Sequence, residues 1–256
     1  MKNSNKLILG LLLLLFALPF LYAFLLKQKL DTIDPLSKFM KSPFESLHEY
    51  PMELGSFSYL VSDDVPVTVD TGQWQVTLNT YKEHQDFCSI KVQNDTLYIS
   101  KAPEVRAISE PWISVNVKLP KLKGLKVING GSIESKNPDT HFEASHVALE
   151  VGEGGIRLPL KARSLELAFR NKGSAVLSGE VGRIDVNGHT SSGSLLAFNL
   201  RADTAYVRNA GQGTFQLHVD QYLEADLLGG SGDVVYRGQP VVAKKESRRG
   251  RVIQDK

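Results

Sequence analysis

The sequence predicts an all-β solenoid that follows an N-terminal transmembrane helix. One observation is an uncharged apolar run, Leu7–Leu26, near the start of the chain. The other is a series of short runs of alternating apolar and polar residues that recurs about every twenty residues, as in proteins built from stacked repeats. The predicted organisation is a transmembrane signal anchor at residues 1–30, a linker at 31–54 and a β-solenoid domain at 55–256.

The apolar run is long enough to cross a membrane. As a helix, Leu7–Leu26 would span about 30 Å, the thickness of a bilayer core. A cleaved signal peptide has a shorter apolar core and small residues at the −3 and −1 positions, whereas the only small residues late in this run are Ala17 and Ala23. We therefore expect an uncleaved anchor. Lysines such as Lys6 and Lys27 flank both ends of the run, so flanking charge does not set the orientation of the helix in the membrane. We base the orientation on the large polar domain, which is expected on the translocated, periplasmic side of a bacterial inner membrane.

The linker and the first strands differ in residue composition and pattern. The linker, residues 31–54, contains three prolines and scattered charges, which predicts a spacer with a short helical piece around Leu36–Met40. From Gly55 onward, β-branched and aromatic residues alternate with polar ones at a period of two, which favours strands with one buried face. The first predicted strands are Val65–Val69, Trp74–Leu78, Thr96–Ile99 and Trp112–Leu119.

An internal repeat begins near residue 125. Its units start with alternating strands at intervals of about 18 to 22 residues, namely at Leu125, Val147, Leu165, Ile184, Ala205, Leu223 and Val241. A corner rich in Gly, Asn or Ser follows each strand, and a second strand then starts at Ile133, Ile156, Val176, Leu195, Phe215, Val234 and Val252. The predicted inward side chains include Leu165, Leu167 and Phe169 in one unit and Leu223, Ala225 and Leu227 in another. A fixed period with one corner per unit favours a solenoid, and an antiparallel sandwich is the alternative.

Three segments resemble a known family. They are Ile90–Ile99, Val115–Leu122 and Leu228–Val234, the last continuing to Gly238–Val242. On these segments the chain resembles the auto-transporter adhesin, head GIN domain family of Bacteroidetes envelope proteins, over roughly Phe57–Val252. The resemblance implies a right-handed parallel β-helix-like fold, an envelope location and adhesion. No translocator barrel follows the repeats before residue 256, so self-export through an outer-membrane pore is not expected.

Catalytic and metal-binding motifs are not found in the sequence, and no catalytic, cofactor-binding or metal-ligating residue is assigned. His141 and His146 are five residues apart, which is not a metal-ligand spacing on a helix, and a strand would put them on opposite faces. Cys88 is the only cysteine, so no intrachain disulfide is possible, and a small buried hydrophobe is its expected role. Gly229–Asp233 is similar to a calcium nonapeptide, but it occurs once, whereas calcium-binding rolls need tandem copies.

A row of acidic side chains is the one feature that suggests an enzyme. The predicted outward positions of successive strands hold Glu150, Glu166, Asp185, Glu224 and Asp226. Glycoside hydrolysis uses a pair of carboxylates at a set separation, whereas a solvated polar face is the simpler interpretation. Exposed aromatic residues such as Tyr206 and Phe198 would line a sugar-binding strip, although packing explains them equally well.

The net charge and the C-terminal basic residues bear on which partners the chain binds. The net charge of +2 argues against nucleic-acid binding. The C-terminal basic cluster comprises Lys244, Lys245, Arg248, Arg249 and Arg251. It is interpreted as a cap on the last strand edge, and attachment to an anionic phosphate or lipid surface is the alternative. We expect a non-enzymatic, membrane-anchored cell-envelope protein whose β-helix module serves binding, adhesion or envelope assembly. It would contact the membrane through residues 7–26 and have an envelope protein or a glycan as its partner. The alternative is a polysaccharide-active enzyme, which requires a concave face with converging carboxylates.

Overall fold

The computed structural model describes residues 46–106, 113–189, 192–247 and 249–255. The predicted anchor Leu7–Leu26 and the predicted helical piece Leu36–Met40 lie outside these residues. Within the described ranges, no helix is both long and apolar enough to cross a membrane.

The described residues form strands and two short 3-10 helices. The strands in the N-terminal half of the domain are β1 (His48–Met52), β2 (Tyr59–Asp63), β3 (Pro66–Thr71), β4 (Gln75–Thr80), β5 (Cys88–Gln93), β6 (Thr96–Lys101), β7 (Ile113–Leu119), β8 (Gly124–Ile128) and β9 (Gly131–Ser135). The strands that follow are β10 (Phe142–Val151), β11 (Gly154–Phe169), β12 (Ser174–Gly188), β13 (Ser194–Asn209), β14 (Phe215–Leu227), β15 (Val234–Arg237), β16 (Val241–Lys245) and β17 (Val252–Gln254). The 3-10 helices are Lys82–Phe87 and Pro103–Val105.

Parallel pairing between successive repeat units forms a β-solenoid, which confirms the predicted all-β class. The four long strands β11–β14 stack in parallel, each pairing with the next over most of its length. Each of them contributes to two ladders. In β11 the first residues pair with β9, whereas Leu160–Phe169 pair with β10, which in turn pairs with β8. The chain therefore coils, and the apolar side chains of the two ladders face one another inside the coil.

The register follows the predicted repeat closely but not everywhere. Leu165 aligns with Ile184, Ala205 and Leu223 on the following strands, as predicted. Leu125 aligns with Leu149 and not with the predicted unit start Val147. Two further starts are one residue off, because Leu223 aligns with Val242 and Ile156 with Ala175.

The start of the domain is not purely a parallel coil. Strand β1 pairs antiparallel with β4, β4 pairs antiparallel with β7, and β5 pairs antiparallel with β6. Strand β1, His48–Met52, lies inside the range predicted as linker, so ordered structure begins before Gly55. Its Pro51 has no amide hydrogen, and a proline is tolerated there because β1 pairs with β4 alone among the described strands.

The core is a stack of inward side chains from successive coils. Leu167 and Leu223 are buried, which confirms the inward positions predicted for them. The rings of Phe169 and Phe215 stack with centroids 5.2 Å apart. Gly188 lies between the strands that carry these rings, and a side chain there would collide with Phe215, since a Cβ would lie 2.6 Å from the ring.

One corner of the coil is built from glycines that approach each other closely. We call Gly173, Gly193, Gly213, Gly232 and Gly250, one from each successive coil, the glycine ladder. A Cβ added to any of the last four would lie close to the carbonyl oxygen of the glycine one coil earlier. The distances would be 3.0 Å for Gly193, 1.5 Å for Gly213, 2.1 Å for Gly232 and 2.5 Å for Gly250. The buried Asn209 braces this corner, because its side-chain amide donates to the carbonyl of Gly213 at 2.9 Å and its side-chain oxygen accepts from the amide of Gly211 at 2.9 Å.

Candidate binding groove

A shallow groove follows the outer surface of the ladder formed by β8, β10 and the later parts of β11–β14. Its volume is about 720 Å³. Outward side chains meet there because residues at a period of two in each strand lie on the same face, and the parallel register places equivalent positions side by side. The whole of this surface is called the groove from here on. Its lining residues include Glu166, Arg183, Asp185, Tyr206 and Glu224.

The predicted row of carboxylates is brought together in the groove. All five of its members line it: Glu150, Glu166, Asp185, Glu224 and Asp226. Glu166 aligns with Asp185 on the next strand, and Tyr206 follows, aligned with Glu224 beyond it. The groove thus has one polar or aromatic side chain per coil along this line, and the outward positions inferred from the sequence are correct.

Basic side chains neutralise part of this acidic surface. Arg183 donates two hydrogen bonds to Asp185, from Nε and from Nη2, each 2.7 Å long. The hydrogen bond with Asp185 is also the main reason that the pKa of Arg183 lies above its ordinary value. Lys126 lies 3.2 Å from Glu150, and Arg170 lies 3.6 Å from the same carboxylate.

Tyrosine rings supply the second kind of surface, with Tyr206 in the groove and Tyr222 beside it. The guanidinium of Arg183 lies over the ring of Tyr206, 4.3 Å from its centroid. The ring of Tyr222 is 6.0 Å from that of Tyr206, and its hydroxyl is 3.5 Å from Oε2 of Glu224. The pKa of Tyr222 is raised, first by loss of solvent and then by the negative charge of Glu224.

The two aromatic residues considered for a sugar-binding strip, with packing as the alternative, are not brought together. Tyr206 lines the groove, whereas Phe198 lies in a different depression beside Val176 and Leu196. The guanidinium of Arg237 covers the Phe198 ring at 4.0 Å. The two residues therefore do not form one strip, because Phe198 lies at the irregularity of β13 on the side of the other ladder.

Sequence reasoning named Tyr206 but missed the basic members of the groove and Tyr222 beside it. Arg183 is two residues before Asp185 in the same strand, so the alternation that placed Asp185 outward also places Arg183 outward. The same signal relates Tyr222 to Glu224. Lys126 required knowledge of the register, because it meets Glu150 only through the pairing of β8 with β10.

Other residues singled out in the sequence have local structural contacts. Burial raises the pKa of the half-buried Cys88 thiol to about 12, which makes it a poor nucleophile. His146 contacts Ser164 on the adjacent strand through Nδ1 at 2.9 Å. In the calcium-like segment, Asp233 accepts a hydrogen bond from the amide of Arg251 at 2.8 Å and so ties two successive coils together.

The coiled parallel sheet defines the chain as an all-β solenoid protein. A family model described as "Putative auto-transporter adhesin, head GIN domain" matches residues 60–240. The chain belongs to this family, as the sequence segments indicated. No curated protein sequence matches the chain.

Solved structures from Bacteroidetes share this fold. A crystal structure described as a putative adhesin from Bacteroides fragilis aligns with a TM-score of 0.70 and 17% identity, covering 83% of this chain and 98% of that one. One described as a putative adhesin from Parabacteroides distasonis has a TM-score of 0.65, with 17% identity and coverage of 83% and 98%. A protein from the same organism described as a putative lipid binding protein has a TM-score of 0.63, again with 17% identity and coverage of 83% and 98%.

Proposed function

We propose that this protein is a non-enzymatic, membrane-anchored component of the bacterial cell envelope that binds an envelope protein or glycan through the groove. The anchor is the apolar run Leu7–Leu26, and the β-domain lies in the periplasm. Membership in the head GIN family supports the envelope location and the binding role. A right-handed coil is part of the same proposal, since parallel crossover connections are right-handed in nearly all proteins.

The arrangement of the carboxylates carries this proposal. A glycosidase places two carboxyl groups on either side of the bond that it cleaves, about 5 to 9.5 Å apart. In the groove, Arg183 engages both oxygens of Asp185, and two basic side chains flank Glu150. Glu166 and Glu224 are three strands apart, which at about 4.8 Å per strand is about 14 Å. These positions suit the binding of an extended partner better than bond cleavage.

The arrangement of Glu224 and Asp226 also favours binding over cleavage. Glu224 and Asp226 leave β14 two residues apart, on the same side of the strand. Their side chains therefore run parallel and do not face each other across a cleft. Mixed charges and tyrosine rings on an open sheet are suited to recognising a polar partner by hydrogen bonding and stacking.

The test is capture of envelope components by the full chain in mild detergent. The groove variant combines Glu166→Gln, Asp185→Asn and Glu224→Gln. The control variant combines Glu143→Gln, Glu180→Gln and Asp203→Asn, which removes the same charge from exposed positions outside the groove. We expect the unaltered protein and the control variant to retain the same envelope protein or glycan, and the groove variant to lose it.

Equal capture by all three proteins would refute a binding role for the groove. The enzyme alternative is examined in parallel by measuring reducing ends released from envelope polysaccharides. Release that the groove variant loses and the control variant keeps would favour the enzyme over the proposal.

A further inference from the structure

The groove already holds one guanidinium group, and the way it is held is informative. Arg183 is bonded to Asp185 by two hydrogen bonds of 2.7 Å and lies 4.3 Å from the centroid of the Tyr206 ring. A carboxylate and a tyrosine ring together therefore form a cradle for a planar cation. Guanidinium suits this cradle because it can bond a carboxylate with two parallel N–H groups while stacking on an aromatic face.

A tyrosine and a carboxylate are also neighbours on β14, here within one strand rather than across two strands, and they form a second cradle. Tyr222 and Glu224 are two residues apart on the outward side of the strand, with the hydroxyl 3.5 Å from Oε2 of the carboxylate. The Tyr222 ring is 6.0 Å from the Tyr206 ring, so the second cradle adjoins the first. Among the described residues, no basic side chain forms an ion pair with Glu224 within 4.0 Å.

A carboxylate beside the second cradle is also incompletely paired. Asp226, two residues further along the same side of β14, has a buried Oδ1 with no hydrogen-bond partner in the described part of the chain. Arg208 and Lys245 align with Asp226 on the neighbouring strands, but neither forms an ion pair with it. The groove as a whole is lined by five carboxylates against three basic side chains, Lys126, Arg183 and Arg208, so its net charge is negative.

We propose that Tyr222 and Glu224 form a subsite for the guanidinium of an arginine on a partner protein, with Asp226 accepting a second donor from the same segment. This inference rests on the proposed function, and it names the partner as an arginine-bearing peptide segment rather than a glycan. The segment lies along the groove, whose volume of about 720 Å³ is within the range of pockets that take small ligands, enough for an arginine side chain and its neighbours. At the second cradle, the partner's arginine would make the same kinds of contact that Arg183 makes at the first, a hydrogen bond to a carboxylate and stacking on a tyrosine ring.

The test uses the full chain in detergent and three peptide probes, hexa-arginine, hexa-lysine and hexa-citrulline, with affinity measured by fluorescence anisotropy. Citrulline keeps the shape of arginine without its charge. We expect hexa-arginine to bind best, hexa-lysine to bind more weakly, and hexa-citrulline not to bind. Glu224→Gln should weaken hexa-arginine binding about ten-fold, since a hydrogen bond between charged groups is lost.

Variants of the ring separate stacking from charge. Tyr222→Phe keeps the ring and should retain most of the affinity, whereas Tyr222→Leu should lose several-fold. The matched control is Glu180→Gln, which removes the same charge from an exposed position outside the groove and should bind as the unaltered protein does. Thermal unfolding of each variant shows whether the fold is intact, and Glu224→Gln, an isosteric change at an exposed side chain, is the decisive one.

Two results would overturn the inference. One is an equal effect of Glu224→Gln and Glu180→Gln, which would mean that only the overall charge matters. The other is binding of hexa-citrulline as tight as that of hexa-arginine. If envelope capture still depends on the groove while either result holds, the proposed function stands and only the arginine subsite falls. If capture is independent of the groove and Glu224→Gln still selectively weakens hexa-arginine, the subsite stands and the proposed function falls.

Discussion

Leu167 and Glu166 are neighbours in β11 that face opposite ways, so they test the alternation directly. Leu167 is 1% exposed in the core, whereas Glu166 is at the surface. Leu167→Asp would bury an unpaired charge and should cost about 4 kcal/mol or more of unfolding free energy. Glu166→Ala should change stability by no more than about 0.5 kcal/mol. Urea unfolding followed by circular dichroism measures both, and equal tolerance of the two changes would contradict the inward position of Leu167.

Single residues were predicted well where one face is buried and poorly where the alternation leaves the alignment open. A period of two tells inward from outward residues, so Leu167 and Leu223 were placed correctly. It cannot reveal a slip of two residues, because such a slip keeps every side chain on its own face. That explains why Leu149, and not Val147, aligns with Leu125. At Val241 and Val242 two identical side chains are adjacent, so the sequence does not show which of them aligns with Leu223. The predicted unit start, Val241, is one residue too early.

The glycine ladder is an element-scale device that limits how the coils can stack. A Cβ at Gly213 would lie 1.5 Å from the carbonyl oxygen of Gly193, so Gly213→Ala requires the corner to shift. We expect it to cost about 2 kcal/mol or more. Gly155→Ala is the control, because the nearest atom to its Cβ would be 3.6 Å away, and it should be neutral or slightly stabilising. Thermal melts of the two variants compare them, and equal melting temperatures would show that the corner tolerates side chains.

The last strands of the solenoid present an edge that the basic cluster is expected to protect. Among the described strands, β16 pairs only with β14, and β17 pairs only with β15. In the cluster, Lys244 lies 3.0 Å from Glu246, whose pKa is lowered first by a hydrogen bond from the amide of Val252 and then by Lys244. Arg248 lies outside the described residues.

Neutralising the cluster distinguishes a cap from a binding site. We expect that replacing Lys244, Lys245, Arg248, Arg249 and Arg251 with Gln or Ser promotes self-association, because like charges on an edge strand resist pairing with a second copy. Sedimentation velocity of the version that begins at Ser46 measures this, and neither form should bind anionic vesicles. Salt-sensitive vesicle binding by the unaltered version, lost on replacement, would mean instead that the cluster attaches to an anionic surface.

At the scale of elements, the sequence located the repeating strands but not the strand that precedes them. Strand β1 was assigned to the linker because its Pro51 and the prolines before it are typical of a spacer. Its pairing with β4 is a contact between segments distant in sequence, which local periodicity does not report. The antiparallel pairs β4–β7 and β5–β6 were also not predicted, since alternation does not encode strand direction.

For the whole molecule, the class of fold could be predicted because one signal, the recurring corner, is repeated many times along the chain. The groove could be predicted only in part. Its carboxylates follow from outward positions, whereas its ion pairs depend on which strands are adjacent and in what register. Lys126 and Glu150 are far apart in the sequence and meet because the loop between β9 and β10 brings β10 beside β8. Such contacts depend on loop lengths and corner shapes, which the period alone does not specify.

The whole chain is expected to be held in the cell by its N-terminal apolar run. We expect the intact protein to fractionate with membranes and to resist extraction by alkaline carbonate, because Leu7–Leu26 carries no charge over a span-length run. A version that begins at Ser46 should remain in solution, since it keeps β1 and with it the cover on β4. A version that begins at Ser56 lacks β1 and should be less stable, because the edge of β4 is then exposed. Sequencing the N-terminus of the mature protein tests the anchor, because a start beyond Leu26 would show cleavage and refute it. If the run is retained, protease treatment of spheroplasts tests the orientation. Digestion of the β-domain there would support an anchor with the domain in the periplasm.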